Sequence, residues 1–322
     1  MGLDPTRTLK SGDIIDPGDS IIDNPDWDEN ATVYFEENFN SENLGGFSQA
    51  QFNDNSYVSA ASPIHHTAGF SSSQISIADA GANGNGEASR TMYCTVAAET
   101  VGESNGMAVA WDFPTGKYDL YASANVMFPT DTWWDSGKLP PGLNTPPSGW
   151  ENSVYDPVTG YTHDGFSCRG LMYDWIGQAF GTGLYYYAPN DPNLYGNASI
   201  RAPYFDFSSL IWYNITIRVV CNTFTSGVAN ADGFMELFID GTLVNSLNNV
   251  VVIRDDGLDI RRMYYAYFYG GSQSTASDKE ENMWTDDWMV WSLTSGVRGT
   301  VSESGRVINL KYWDRSLQKK LN

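Results

Sequence analysis

No segment of this chain sustains a 3.6-residue apolar pattern for more than two turns, whereas short alternating runs return throughout its middle. TVYFEENF (32–39), MAVAWDF (107–113) and YDLYASANVMF (118–128) alternate, and GLYYY (183–187), WYNITIRVVC (212–221), FMELFID (234–240), MYYAYFYGG (263–271) and MWTDDWMVWSL (283–293) follow at short intervals. Period-two patterning gives a strand two distinct faces, and it is incompatible with an amphipathic helix. PTGK, GESNG and the Gly241 turn bound these runs with residues that favour chain reversal. Aromatic residues at 14% and 31 glycines reinforce the same conclusion, since both favour strands and turns over helices. The expected fold is all-β, a two-sheet sandwich of the jelly-roll kind. No internal repeat points to a propeller or solenoid. The Gly-rich ADAGANGNGEAS (78–89) lacks phosphate-loop spacing and a following helix, and reads as a loop.

Charge divides the chain of 322 residues. The formal net charge is −21, which argues against nucleic acid as a partner, because phosphate binding needs a basic footprint. Residues 1–60 carry only Arg7 and Lys10 against twelve acidic groups, and DPGD and DNPDWDEN break any periodicity through residue 30. Residues 1–30 are expected to form an extended acidic arm, 31–297 the β-domain, and 298–322 a basic tail with Arg298, Arg306, Lys311, Arg315, Lys319 and Lys320. Arm and tail read either as solvated termini or as attachment devices to a further copy or a larger assembly. The first residues have no apolar core of a signal peptide and no run of 18 apolar residues occurs, so no membrane partner is expected. The expected location is extracellular or on a virion surface. Cys94, Cys168 and Cys221 are odd in number and form no C-x-x-C pair, which makes a disulfide framework unexpected and leaves one bridge open.

Basic residues are scarce enough in the middle that each can be weighed. Lys138 lies in WWDSGKLPPGL, between tryptophans and a Pro-Pro-Gly turn. Ser167 and Arg169 in GFSCRGLMY share a strand face, as do Tyr185 and Tyr187 in GLYYYAP. Neighbouring strands would bring Lys, Ser, Arg and two phenols onto one surface. The competing explanation is structural, with Arg169 paired to an acidic neighbour and the tyrosines ordinary sheet aromatics.

The order of segments adds weight to the first explanation. WWDSGKLPPGL, S-C-R, Y-Y-Y, the run from Trp212 through Ile215 and Val219 to Asn222, the hairpin between Asp232-Gly233 and Asp240-Gly241, and the aromatic strand ending Phe268-Tyr269-Gly270-Gly271 resemble polysaccharide lyase family 14 over about residues 106–293. The resemblance implies a β-jelly roll whose concave sheet carries the active site, and β-elimination on an acidic, uronate polysaccharide without a cofactor or metal. Matched position by position, the family's functional residues fall on Lys138, Ser167, Arg169, Tyr185 and Tyr187. It implies Arg169 as carboxylate clamp, Lys138 as added positive charge, Ser167 as a hydrogen-bonding group, Tyr187 as base and proton donor, and Tyr185 as positioner. Trp134, His163 and Arg254 are the expected substrate contacts. Two departures stand out: Ser136-Gly137 replaces a double Gly, and an extra Pro precedes Gly142. The insert 144–164 holds His163 close to the Ser167 strand and is a candidate lid.

Other constellations are weaker. His65-His66 would point to opposite faces of a strand, and Asp255-Asp256 and Asp286-Asp287 lack the spacing of a calcium loop. A paired-carboxylate glycosidase has no specific pair to rest on. The competing functional class is a noncatalytic glycan-binding or structural protein on a virus particle, such as a capsid decoration or tail component.

Overall fold

The computed structural model describes residues 32–37, 39, 45–46, 64–68, 75–79, 90–102, 105–129, 136–145, 154–156, 160–162, 164–173, 181–189, 196–200, 205, 207–270 and 279–292. The acidic arm of residues 1–30 and the basic tail of 298–322 lie outside these. In chain order the strands are β1 (Thr32–Glu37), β2 (Gly45–Gly46), β3 (Ile64–Ala68), β4 (Ile75–Asp79), β5 (Arg90–Val96), β6 (Met107–Lys117), β7 (Asp119–Met127), β8 (Ser136–Asn144), β9 (Val154–Asp156) and β10 (Gly160–Thr162). They continue with β11 (Ser167–Tyr173), β12 (Gly181–Tyr187), β13 (Asn197–Ile200), β14 (Trp212–Val220), β15 (Phe224–Thr225), β16 (Val228–Ala229), β17 (Gly233–Ile239), β18 (Thr242–Val250), β19 (Ile260–Tyr269) and β20 (Glu281–Ser292). Every alternating run of the sequence corresponds to one of these strands.

Two antiparallel sheets carry the fold. The nine-stranded sheet runs β18-β17-β14-β7-β20-β5-β4-β2, with β1 also paired to β20. The seven-stranded sheet runs β13-β12-β11-β8-β19-β6-β3. Between them, alternate residues of facing strands build one core: Leu120, Ala122, Ala124 and Val126 of β7, Ile215, Ile217 and Val219 of β14, and Met263, Tyr265, Tyr267 and Tyr269 of β19. Burial of alternating apolar side chains between two sheets is the main stabilising term of such a sandwich. Tyr265 ties the layers further. Its ring stacks on Trp288 at 4.3 Å, and its hydroxyl donates across the core to the backbone carbonyls of Ser123 and Met289. A buried phenol needs such acceptors, because an unpaired hydroxyl costs about 1–3 kcal/mol. The three cysteines are buried as free thiols, and the Cys94 thiol donates to Met107 sulfur at 3.5 Å.

Two sequence expectations need correction. Pro-Pro-Gly does not form a turn: Leu139 and Gly142 flank a register shift within β8, and the chain passes through Pro140-Pro141 while keeping its place between β11 and β19. The PTGK segment is likewise part of β6 and not its terminus. In both, prolines remove donors without forcing reversal, because irregular pairing absorbs the missing N–H groups.

Candidate active site

The face of the seven-stranded sheet that points away from the core gathers the chemistry. In β11, Cys168 and Met172 enter the core, as does Phe166 just before it, so Ser167, Arg169 and Leu171 occupy the opposite face. In β12, Leu184 enters the core and Tyr185 and Tyr187 face outward with them. Register completes the arrangement: Ser167 stands opposite Tyr187 and Arg169 opposite Tyr185. Directly opposed side chains on one face are near neighbours. On the far side of β11, Lys138 of β8 pairs with Leu171 and with Phe268 of β19. All five positions named by the sequence therefore share one surface.

Contacts fix their orientations. Lys138 Nζ sits 3.0 Å from the centroid of the Tyr185 ring. The Tyr185 and Tyr187 rings meet edge to face at 5.5 Å, and their hydroxyls are hydrogen-bonded at 3.1 Å. Arg169 Nη2 donates to Ser167 Oγ at 3.0 Å, so this serine anchors the arginine. The Arg169 guanidinium carbon lies 4.4 Å over the Tyr264 ring and 5.9 Å from that of Tyr185. Gly196, at φ +73°, closes the phenol end, since a Cβ there would lie 2.9 Å from both tyrosine rings. At the lysine end, a Cβ on Gly270 would meet Lys138 Cε at 2.8 Å.

Electrostatics revise one expectation. Lys138 is only 6% exposed, and burial, helped by the nearby Arg169 charge, pushes its ammonium down to about 6. That shift favours the amine at neutral pH over the added cation the sequence suggested. Among the described residues no group of three His, Cys, Asp or Glu side chains could hold a metal.

Sequence reasoning missed three residues of this face. Tyr264 belongs to a quoted motif, but MYYAYFY is apolar at every position and gives no sign of which side chains leave the core. Asn144 and Arg262 pair with each other, and Asn144 also pairs with Ser167, which extends the row Tyr187–Ser167–Asn144–Arg262 across four strands. Arg262 stands opposite Asp112 of β6 on its other side. Of the expected substrate contacts, Trp134 and His163 lie outside the described residues. The insert that carries His163 includes the β9–β10 hairpin. Arg254 is half-buried, and its backbone N–H donates to the Asp164 carbonyl at 2.7 Å, beside the start of β11.

Residues 93–288 match the family described as Polysaccharide lyase 14, more than half of the chain. No curated protein matches the sequence. Among solved structures, alginate lyase Aly36B superposes with a TM-score of 0.60 at 17% identity, covering 81% of this chain and 96% of its own. The marine PL-14 alginate lyase from Aplysia kurodai gives 0.59 at 17% identity over 80% and 98%. Alginate lyase vAL-1 from Chlorella virus gives 0.52 at 18% identity over 63% and 85%. At such identities the superpositions establish the jelly-roll fold, and the family match spans every one of the five site positions. The chain belongs to polysaccharide lyase family 14.

Proposed function

We propose that this protein cleaves a uronate polysaccharide by β-elimination at the sheet face that carries Lys138, Arg169, Tyr185 and Tyr187. The observation that carries this reading is the joint placement of a guanidinium, a buried lysine and a hydrogen-bonded phenol pair on one sheet face. Structures of Aly36B variants with alginate tri- and tetrasaccharides support an acidic polysaccharide as the ligand.

Each group has a task that its physics suits. Arg169 receives the uronate carboxylate, because a planar fork binds two oxygens and stabilises the enolate-like charge that develops when the C5 proton leaves. Lys138 takes that proton on its neutral amine. The incoming carboxylate favours the ammonium, so substrate binding itself strengthens this base. As the C4=C5 double bond forms, the glycosidic C4–O bond breaks and Tyr187 gives its phenolic proton to the departing oxygen. A phenolic hydroxyl carries a proton that it can give and suits that role. The Tyr185 hydroxyl, hydrogen-bonded to that of Tyr187, helps to hold the proton donor in place. Both proton transfers thus divide between two residues, where the family resemblance placed them on Tyr187 alone.

The net charge of −21 opposes approach of a polyanion. Long-range repulsion is screened over about 8 Å at physiological ionic strength, so the local cations Arg169 and Arg262 govern the last step of binding. The alternative of a noncatalytic protein on a virus particle rested on arm and tail, which lie outside the described residues. Incubation with alginate, polymannuronate and polyglucuronate tests the lyase reading through ultraviolet absorbance of the unsaturated product. Absence of product from all three, or an unchanged rate in Tyr187→Phe, would refute it.

A further inference from the structure

We infer that Tyr264 is a positioning residue of the site: reaching across the bare backbone of Gly142, its ring sets the direction in which Arg169 presents its guanidinium. This rests on the lyase reading of the cleft and extends it to a strand that contributes none of the five matched positions.

Arg169 and Tyr264 are not on adjacent strands. Arg169 lies on β11 and Tyr264 on β19, with β8 between them. The residue of β8 opposite Arg169 is Gly142. A Cβ there would stand 2.5 Å from the Tyr264 carbonyl oxygen and 3.1 Å from Arg169 Cβ, so any larger residue would force the three strands apart. Glycine leaves the gap through which guanidinium and ring meet at 4.4 Å, within the range of a cation–π contact. Tyr264 is 1% exposed and packs with Ala108, Ala110, Ala266 and Phe268, which holds the ring in place.

The geometry suits carboxylate recognition. A ring can hold a guanidinium through its π-face without a carboxylate, and a carboxylate binds the N–H edges in plane. Ser167 holds one guanidinium nitrogen from the same strand, and the Tyr264 ring holds the guanidinium carbon from two strands away. Contacts from two strands restrict how the group can turn. Because the Arg169 charge also lowers the Lys138 ammonium, a guanidinium that drifts from its place carries the titration of the base with it.

The test compares Tyr264→Phe, Tyr264→Leu and Tyr264→Met with Arg169→Ala, using polymannuronate, alginate and polyglucuronate as substrates. Tyr264→Phe keeps the ring and is expected to retain kcat/KM and its pH profile. Tyr264→Leu and Tyr264→Met are expected to lower kcat/KM roughly tenfold, the order that a desolvated cation–ring contact supports, and to move the acid limb of the profile to higher pH. Thermal melting checks folding, and Tyr264→Met supplies an unbranched, adaptable side chain if leucine does not fold. An acid limb that stays in place in both aliphatic variants, or equal impairment of Tyr264→Phe, overturns the inference. Inactive Arg169→Ala beside fully active aliphatic variants defeats the positioning role alone, whereas full activity in Arg169→Ala defeats the lyase reading beneath it.

Discussion

Two arginines over tyrosine rings show how differently one fold uses the same side chain. Arg218, on the outer face of the nine-stranded sheet, is gripped by Asp119 through Nε at 3.0 Å and Nη2 at 2.8 Å, and by Glu236 at 3.3 Å. Its guanidinium carbon lies 5.0 Å from the Tyr121 ring. Burial opposes its charge, but the Asp119 hydrogen bond and carboxylate more than restore it and raise the pKa. Arg169, in the cleft, is oriented by the Ser167 hydroxyl and by the Tyr264 and Tyr185 rings. Carboxylates fix an arginine and neutralise it together. At Arg169 a hydroxyl and ring faces contribute to the placement, and its charge helps lower the Lys138 ammonium. The first arrangement serves stability; the second is the one that the proposed lyase reading assigns to an anion.

That contrast can be broken or sharpened by experiment. Arg169→Ala is expected to lower kcat/KM about 10³-fold, the scale of losing a charge-stabilising group, with little change in urea midpoint. A loss below tenfold would make Arg169 another structural arginine. The second largest effect is the pH response of its neighbour. Lys138 carries a folded-state value near 6, well below its ordinary 10.5, so the amine is available above pH 6. Activity is therefore expected to rise through that pH and to fall roughly a hundredfold two units below it, read from a kcat/KM profile. The same shift has a stability sign: between about 6 and 10.5 the unfolded chain holds a proton the folded one releases, so stability rises with pH across this window. Lys138→Met is expected to flatten that rise in urea titrations at several pH values. Arg218→Ala reverses the Arg169 pattern. It leaves two half-buried carboxylates without their cation, costs about 2 kcal/mol in urea unfolding, and spares the rate per folded molecule. Smallest is Ser167→Ala, which removes one hydrogen bond from Arg169 and lowers kcat/KM about tenfold.

Much of this arrangement was legible in the sequence, for a physical reason. Strands with one face in the core and one outside advertise their parity, as Ile215, Ile217 and Val219 do against Asn214, Thr216 and Arg218. Two residues apart on a strand means the same face, so Ser167 with Arg169 and Tyr185 with Tyr187 could be paired in advance. Their face-to-face register could not, because pairing depends on a hairpin whose connection leaves no mark in period two. Tyr264 was hidden for the opposite reason: with every residue of MYYAYFY apolar, parity vanishes. The neutral state of Lys138 was also out of reach, since ionisation follows from burial and neighbours and not from residue type. Pro140-Pro141 misled through a rule that is sound in a regular ladder and fails at a register shift.

Gly196 carries a consequence for anyone who would redesign this cleft. It combines a left-handed backbone with space already taken by the Tyr185 and Tyr187 rings, so two independent penalties fall on every substitution. Saturation mutagenesis there would return glycine and little else. The phenol end is in that sense a fixed wall, closed to stepwise adaptation. Any change of ligand preference at this face has to come from positions other than this glycine.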